Sequence, residues 1–450
     1  MNIYEKYKNT PIKVITFYLI ITLVLFAYGP FDWKVYTPIR FWTLMFFYIF
    51  ALILGWYIGS RFDVHYNLSS VDDIVCVRWM KILTFINFFR EIVNLFRSFY
   101  FDSFNISALF SKIVSGLGNM GESYNELVGN MFTVDGSQVV GGMAFSLFNI
   151  LFSFFGMTSM ILGTYYYKKL GKLHQVLLVL TYVIVALSYL GRGTNIGIFR
   201  LILIILLAGI IKSLQKRQEA ISLTHQPIWT IIGIVVAIVV VLQIFITIMK
   251  GRGGILYWES PYYNVGGVHL NRDSVFFNLL PSSLYMLLVS FSSYLCQGYY
   301  GMSLALRLEW KPTFGLGSSM FWVKQLSDAI PSLHESTYQY RIQQFGWDED
   351  VQWHSIYTWL ANDFSFVGVI FIMFLIGMIF SISYKDLLVT KNQYAFAVFY
   401  FMMLACIFIP ANNQLAQSTD TLFAFIFVLL CWLFTRGKKR ILFTVGNQRI

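Results

Sequence analysis

Long apolar stretches separated by short polar segments dominate the chain. A bilayer core of about 30 Å requires about 20 apolar residues in helical conformation. The pattern therefore predicts ten membrane-spanning helices, at approximately 14–29, 39–59, 74–94, 140–166, 174–190, 195–211, 228–249, 362–383, 394–410 and 420–435. The third stretch is the weakest because it contains Arg90 and Glu91, which can either line a cavity or form an ion pair inside the bundle.

The composition supports a membrane protein. Hydrophobic residues make up 57% of the 450 residues and charged residues only 12%, against about 25% charged residues in an ordinary soluble domain. We therefore predict an all-α polytopic membrane protein with one membrane domain over 1–450. The net charge of +11 comes mainly from short basic clusters between apolar stretches, a pattern typical of cytoplasmic loops rather than of a nucleic-acid-binding surface. The four cysteines show no metal-ligand spacing and are expected in the core.

The distribution of Lys and Arg predicts the orientation. With the N-terminus inside, the inside segments hold more than half of the 33 basic residues, and both termini are cytoplasmic. Residues 250–357 then form a large exterior loop. Within it, a single crossing by 275–297 would place the basic C-terminus outside. We expect an interfacial or re-entrant helix there, or one resting against the bundle. A hidden second crossing would give twelve spans.

Two arginines flanked by glycine lie at the predicted outer ends of spans. Arg192 stands in SYLGRGTNIG, and Arg252 follows Lys250 in MKGRGGILYW. Glycine permits a tight turn and close backbone approach to a ligand, and arginine binds phosphate groups with two parallel hydrogen bonds. These residues predict a phosphate or pyrophosphate site. The alternative for Arg192 is an interfacial arginine that extends to the membrane surface.

The exterior loop combines aromatic residues with His, Arg and acidic residues, which indicates sugar recognition; an aromatic belt at the membrane interface is the alternative. Arg341 in this loop is a further candidate for pyrophosphate binding. His354 is the first candidate general base because the usual pKa of histidine is about 6.5; a structural histidine is the alternative. Asp273 and Asp363 are further catalytic candidates, although Asp363 can also cap the eighth span. No metal-ligand cluster is evident, so we expect chemistry without a metal ion.

Several short motifs, taken together with this architecture, resemble a known family. They are LGRGTN after the fifth span, MKGRGG after the seventh, YYGMSLAL and FGLGSS in the loop, and ANDFSFVG at the eighth span. The chain resembles the Wzy-type O-antigen polymerases, which join oligosaccharide repeat units.

The resemblance implies a fold related to the GT-C glycosyltransferases, in a bacterial inner membrane with the large loop in the periplasm. It implies transfer of a glycan from undecaprenyl pyrophosphate onto a second lipid-linked unit, with Arg192 and Arg252 holding pyrophosphates. No cofactor is implied. The implied partners are lipid-linked oligosaccharides, membrane lipid and a chain-length regulator. A lipid-linked oligosaccharide flippase or exporter remains an alternative, although it would not need so long a loop, and an O-antigen ligase of related architecture is another.

Overall fold

A computed structural model describes residues 3–62, 70–131, 138–219, 264–271 and 273–436, with short pieces between 232 and 247, and this part of the chain is mainly helical. The helices are α1 (Ile3–Tyr7), α2 (Thr10–Tyr28), α3 (Pro38–Gly59), α4 (Ser70–Arg97), α5 (Ile106–Gly118), α6 (Met120–Met131), α7 (Gly142–Tyr165), α8 (Lys172–Gly191), α9 (Ile196–Glu219), α10 (Val275–Leu279), α11 (Ser282–Ala305), α12 (Met320–Leu326), α13 (Pro331–Ser336), α14 (Tyr338–Arg341), α15 (Ile356–Val389), α16 (Gln393–Phe408) and α17 (Thr419–Arg436). Short 3₁₀ helices cover Tyr167–Lys169 and Ile342–Phe345, and β1 (Asn264–Val265) pairs with β2 (Val268–His269) in a small antiparallel hairpin. The prediction of an all-α chain is confirmed apart from this hairpin.

Seven candidate membrane spans are present among the described residues. They cover Ile3–Tyr28, Pro38–Gly59, Gly142–Tyr165, Lys172–Gly191, Ile196–Gln218, Ile356–Val389 and Thr419–Arg436. Their outward surfaces are apolar; Phe46, for example, is 64% exposed and Phe371 61%. Helices that expose large apolar side chains in this way are suited to lipid rather than water. The protein is therefore a multi-pass membrane protein.

The count of ten to twelve spans stays a prediction. Predicted spans 74–94 and 394–410 correspond to the helices α4 and α16. However, α4 carries several charged residues and α16 has only 16 residues, so neither is among the seven candidates. Most of predicted span 228–249 lies outside the described residues.

Helices α3 and α15 pack tightly against each other. Gly55 faces the backbone of Phe374, and Gly377 faces the backbone of Leu52, so closely that a Cβ atom at either glycine would overlap a carbonyl oxygen. Small residues allow such close approach, which supplies the van der Waals contact that holds helices together in lipid. The backbone contact between these helices therefore depends on glycine at both positions.

The described helices meet at two distinct ends of the bundle. At one end, which we call the loop end, α4 and α8 finish while α7, α15 and α17 begin; the Arg90 guanidinium bonds to Asp420 there at 2.7 Å. At the other, the terminal end, Arg436 bonds to Asp386 at 2.8 Å and the Tyr384 hydroxyl donates to the Tyr7 carbonyl oxygen at 3.4 Å. The alternating helix directions agree with the predicted order of crossings. Which end faces the cytoplasm stays a prediction.

Predicted segment 275–297 consists of α10 and most of α11. The contacts of α11 are made at the loop end, where the Tyr299 and Thr22 hydroxyls are 3.0 Å apart and Gly298 lies against the backbone of Pro410 and Ser355. Gly298 and Tyr299, which follow the predicted segment, thus rest against the bundle at the loop end. The arrangement of 275–297 itself stays a prediction.

Candidate functional site at the loop end

Arg192 follows α8 directly and begins the short turn that leads to α9. Gly193 comes next with a φ of 63°, a left-handed backbone conformation that glycine adopts readily. The Arg192 Nε donates to the Ser188 carbonyl oxygen at 2.9 Å, and the guanidinium lies 4.8 Å from the centroid of the Tyr189 ring. Burial lowers the pKa of Arg192, but an arginine remains charged at neutral pH. The tight turn predicted from the two flanking glycines is present.

Arg200 lies about one turn into α9, and the sequence-based prediction did not include it. It is 8% exposed, and its Nη2 donates to Gln414 Oε1 at 2.9 Å. Its Nε has no hydrogen-bond partner among the described residues. The signal that could have identified it is a charged residue inside the apolar run IGIFRLILII.

The ring of Tyr189 borders both arginine-bearing segments. It lies under Arg192 and also packs against Gly197, one turn before Arg200, where a Cβ atom would overlap the ring. Within the described part of the chain, no carboxylate lies at ion-pair distance from either Arg192 or Arg200. Neither guanidinium is therefore neutralised by a salt bridge with a described residue, although Glu91 interacts with Arg192 electrostatically.

A third arginine at this end, Arg90, already has hydrogen-bond partners on other side chains. Arg90 is 4% exposed and donates to Glu91, Asp420 and Asn149, each at 2.7 Å. Of the two alternatives for Arg90 and Glu91, the ion pair is the one observed. Asp420 keeps 42% of its side chain exposed, so this carboxylate faces solvent while Arg90 holds it.

The connection between α16 and α17 contacts both the exterior loop and the arginine cluster, by which we mean Arg192 and Arg200. Its sequence, PANNQLAQS, is polar but mostly buried. Gln414 binds Arg200, Asn412 accepts from the Trp359 Nε1 at 3.1 Å, and Asn413 donates to the Ser318 carbonyl oxygen at 2.9 Å. Hydrogen bonds from this buried connection therefore hold α9, α15 and the turn at 313–318 together at the loop end.

Asp363 has a different role from the helix cap considered above. Helix α15 begins at Ile356, and Ser355 is its N-cap, accepting from the Thr358 amide. The Asp363 carboxylate instead accepts a bond from Thr313 and from the amides of Gly315, Gly317 and Ser318. Its two oxygens are thus occupied in fixing the turn at 313–318. Two motifs noted in the sequence, FGLGSS and ANDFSFVG, are brought together by this carboxylate.

Helix α15 is interrupted just after Asp363. Ser365 has φ 59° and ψ 162°, a region that residues other than glycine rarely occupy. The Tyr48 hydroxyl donates to the carbonyl oxygen of the next residue, Phe366, at 2.6 Å, and the Gly368 amide donates to the Ser365 hydroxyl. These contacts stabilise the break. The sequence does not indicate the break, because neither glycine nor proline occupies position 365.

His354 is 2% exposed, and neither ring nitrogen has a hydrogen-bond partner among the described residues. Burial lowers its pKa to about 3. At neutral pH its imidazole is therefore uncharged and a weak base. Its catalytic role stays a prediction, and its surroundings favour a structural one.

The other predicted site residues lie apart from the arginine cluster or outside the described residues. Asp273 is exposed and follows the β1–β2 hairpin, where its amide donates to Asn271 Oδ1. Arg341 donates to the Glu309 carbonyl oxygen at 2.8 Å. Lys250 and Arg252 lie outside the described residues.

An open groove of about 470 Å³ lies beside the broken helix. Its lining includes Arg40, Arg307, Trp310, Tyr338 and Ser365. The Trp310 indole is 45% exposed while its Nε1 donates to the Asn362 carbonyl oxygen, so the ring is fixed with one face accessible. Such a face suits the C–H surface of a sugar.

Among the described residues, no group of three His, Cys, Asp or Glu side chains could hold a metal ion. Searches of protein-family models, curated proteins and solved structures give no match to this chain.

Proposed function

We propose that this protein is a polymerase that joins undecaprenyl-pyrophosphate-linked oligosaccharide repeat units into O-antigen or a related surface polysaccharide, on the periplasmic face of a bacterial inner membrane. The observation that carries the proposal is the pair Arg192 and Arg200. Arg192 lies over the Tyr189 ring, Arg200 lies about one turn along the helix from Gly197, where that ring packs, and neither has a carboxylate at ion-pair distance among the described residues. A lipid pyrophosphate is an anion that reaches a membrane protein at this depth, where a helix ends.

The positive charges of the two arginines stabilise the pyrophosphate as it leaves. In the reaction, a hydroxyl oxygen of the acceptor sugar attacks C1 of the donor glycan, and the bond from C1 to the pyrophosphate oxygen breaks. Negative charge accumulates on that oxygen, and donors already aimed at it lower the barrier. Arginine suits this role because its guanidinium binds two phosphate oxygens at once. Transfer without a divalent cation stays part of the proposal.

Asp420 is the carboxylate that the geometry favours as proton acceptor. The acceptor hydroxyl must lose its proton as the glycosidic bond forms, and a base must lie within hydrogen-bond reach. Asp420 has 42% of its side chain exposed, lies at the same end of the bundle as Arg192 and Arg200, and is held in one orientation by its bond to Arg90. Asp363 is less suited because four donors already occupy it.

The exterior loop would hold the sugars. Asp363 fixes the turn at 313–318, and Trp310 offers an exposed ring above the groove. By contrast, Trp347 is completely buried and belongs to the core, so only part of the aromatic content of the loop is available for stacking on a glycan.

The proposal is tested by the lipid-linked pool of a strain from which this chain is deleted. We expect single repeat units to accumulate on the periplasmic side, detected by mass spectrometry after labelling of the outer face, and polymer to return when the gene is restored. Units confined to the cytoplasmic side would identify a flippase instead. Long polymer that stays on undecaprenyl pyrophosphate would identify a ligase.

A further inference from the structure

A large apolar groove lies at the side of the bundle, between α8 and α9 and the end of α7. Its volume is about 910 Å³. The walls are formed by apolar residues of α8 and α9, among them Val179, Val183, Ile198, Ile205 and Gly209. Val179, Val183 and Ile205 are about half exposed, at 48%, 47% and 53%. In a bilayer this groove is open to acyl chains.

The end of the groove at the terminal end of the bundle is basic. Lys168, Lys169, Lys212 and Lys216 line it there, and none of the described residues that line the groove is acidic. The Lys212 ammonium lies 3.4 Å from the centroid of the Tyr165 ring, and the Lys169 ammonium lies 5.4 Å from that of Tyr166. These aromatic contacts hold cations at the mouth of an otherwise apolar groove.

We propose that this groove is a binding site for an anionic phospholipid, with the phosphate at the four lysines and an acyl chain along α8 and α9. From Ile198 to Lys216, α9 rises about 27 Å, which is long enough for an extended acyl chain. Lysines near a membrane surface attract anionic headgroups, whereas a second copy of this chain would bring the same four positive charges together. The four lysines lie at the opposite end of the bundle from the arginine cluster, so the proposed lipid site does not depend on the proposed polymerase activity.

Two variants test the two halves of the site. Changing Lys168, Lys169, Lys212 and Lys216 to Gln removes the charge and keeps the groove. Gly209→Leu narrows the groove and keeps the charge; a Cβ atom at Gly209 meets nothing within 4 Å. A matched control changes four other basic residues of the terminal end to Gln, namely Lys6, Lys8, Lys13 and Arg61.

The experiment is native mass spectrometry of the full-length chain, purified in detergent with equal amounts of phosphatidylglycerol and phosphatidylcholine. We expect the wild type and the control to retain phosphatidylglycerol preferentially. Both groove variants should lose that preference, by about tenfold for the four-lysine variant. Equal retention of both lipids by the wild type would overturn the proposal, and so would unchanged retention by Gly209→Leu. If the four-lysine variant fails to fold, Gly209→Leu alone decides.

Discussion

At the scale of single residues, the proposed activity depends on the guanidinium groups of Arg192 and Arg200. A hydrogen bond to a charged group contributes about 1.5–3 kcal/mol, and about 1.4 kcal/mol corresponds to a tenfold change in rate. We therefore expect Arg192→Ala and Arg200→Ala each to reduce polymer formation about tenfold to a hundredfold. Lysine at either position should restore it only in part, because an ammonium cannot make the two-pronged contact. The measurement is polymer length and amount on a gel, normalised to membrane-inserted protein.

Arg217→Ala provides the control for those variants. Arg217 lies on α9 as Arg200 does, but at the terminal end, so its loss should leave polymer unchanged. Full-length polymer from both Arg192→Ala and Arg200→Ala at normal expression would remove the arginine pair from the mechanism.

His354 leads to a prediction about pH. Its folded pKa of about 3 is below the value of about 6.5 expected in the unfolded chain. Since the unfolded state binds the proton more readily, stability falls as the pH decreases below 6.5. Between pH 7.5 and pH 5 this single group should cost about 2 kcal/mol. His354→Phe, which has no ring nitrogens to protonate, should lose correspondingly less stability over that interval, as measured by thermal unfolding in detergent. An identical loss in both proteins would contradict the burial of a neutral imidazole.

The role of a single residue could be predicted from the sequence only where a local sequence pattern indicates it. Arg192 is marked by its two glycines, and the structure has the turn they require. Arg200 was missed because the apolar run around it was interpreted as a span and nothing more. The bonds from Asp363 to the turn at 313–318 join positions about 45–50 residues apart, and no local pattern indicates which distant amides a carboxylate will bind.

At the scale of helices, the contact between α3 and α15 predicts a clear difference among glycines. An alanine at Gly55 or Gly377 would push two backbones apart, and overpacking of this kind costs about 1–3 kcal/mol. Gly209→Ala meets no neighbour and should be neutral or stabilise α9 by about 0.5–1 kcal/mol. Thermal unfolding midpoints of the three purified variants check this order. A Gly55→Ala variant as stable as the wild type would mean that the two helices do not pack through their glycines.

The position of a helix could be predicted where the length of an apolar stretch determines where the helix begins and ends. The stretches 39–59 and 174–190 correspond closely to α3 and α8. Helix α15 was predicted to begin at 362, yet it begins at Ile356 and breaks at Ser365. The break depends on contacts with α3, such as the hydrogen bond from the Tyr48 hydroxyl to the Phe366 carbonyl oxygen. A hydropathy pattern does not indicate tertiary contacts of that kind.

At the scale of the whole molecule, the two ends of the bundle predict opposite sides of the membrane. Asp328 is exposed in the exterior loop and Gln218 is exposed near the end of α9, whereas Cys76, Cys296 and Cys406 are buried and Cys431 is partly buried. In intact cells, a membrane-impermeant maleimide should therefore label Asp328→Cys but not Gln218→Cys, and the latter should react only after permeabilisation. The positive-inside rule gives this direction because basic residues concentrate in the short loops of the terminal end. Labelling of Gln218→Cys in intact cells would invert the orientation, and with it the arginine cluster would face the cytoplasm, where a periplasmic polymerase could not use it.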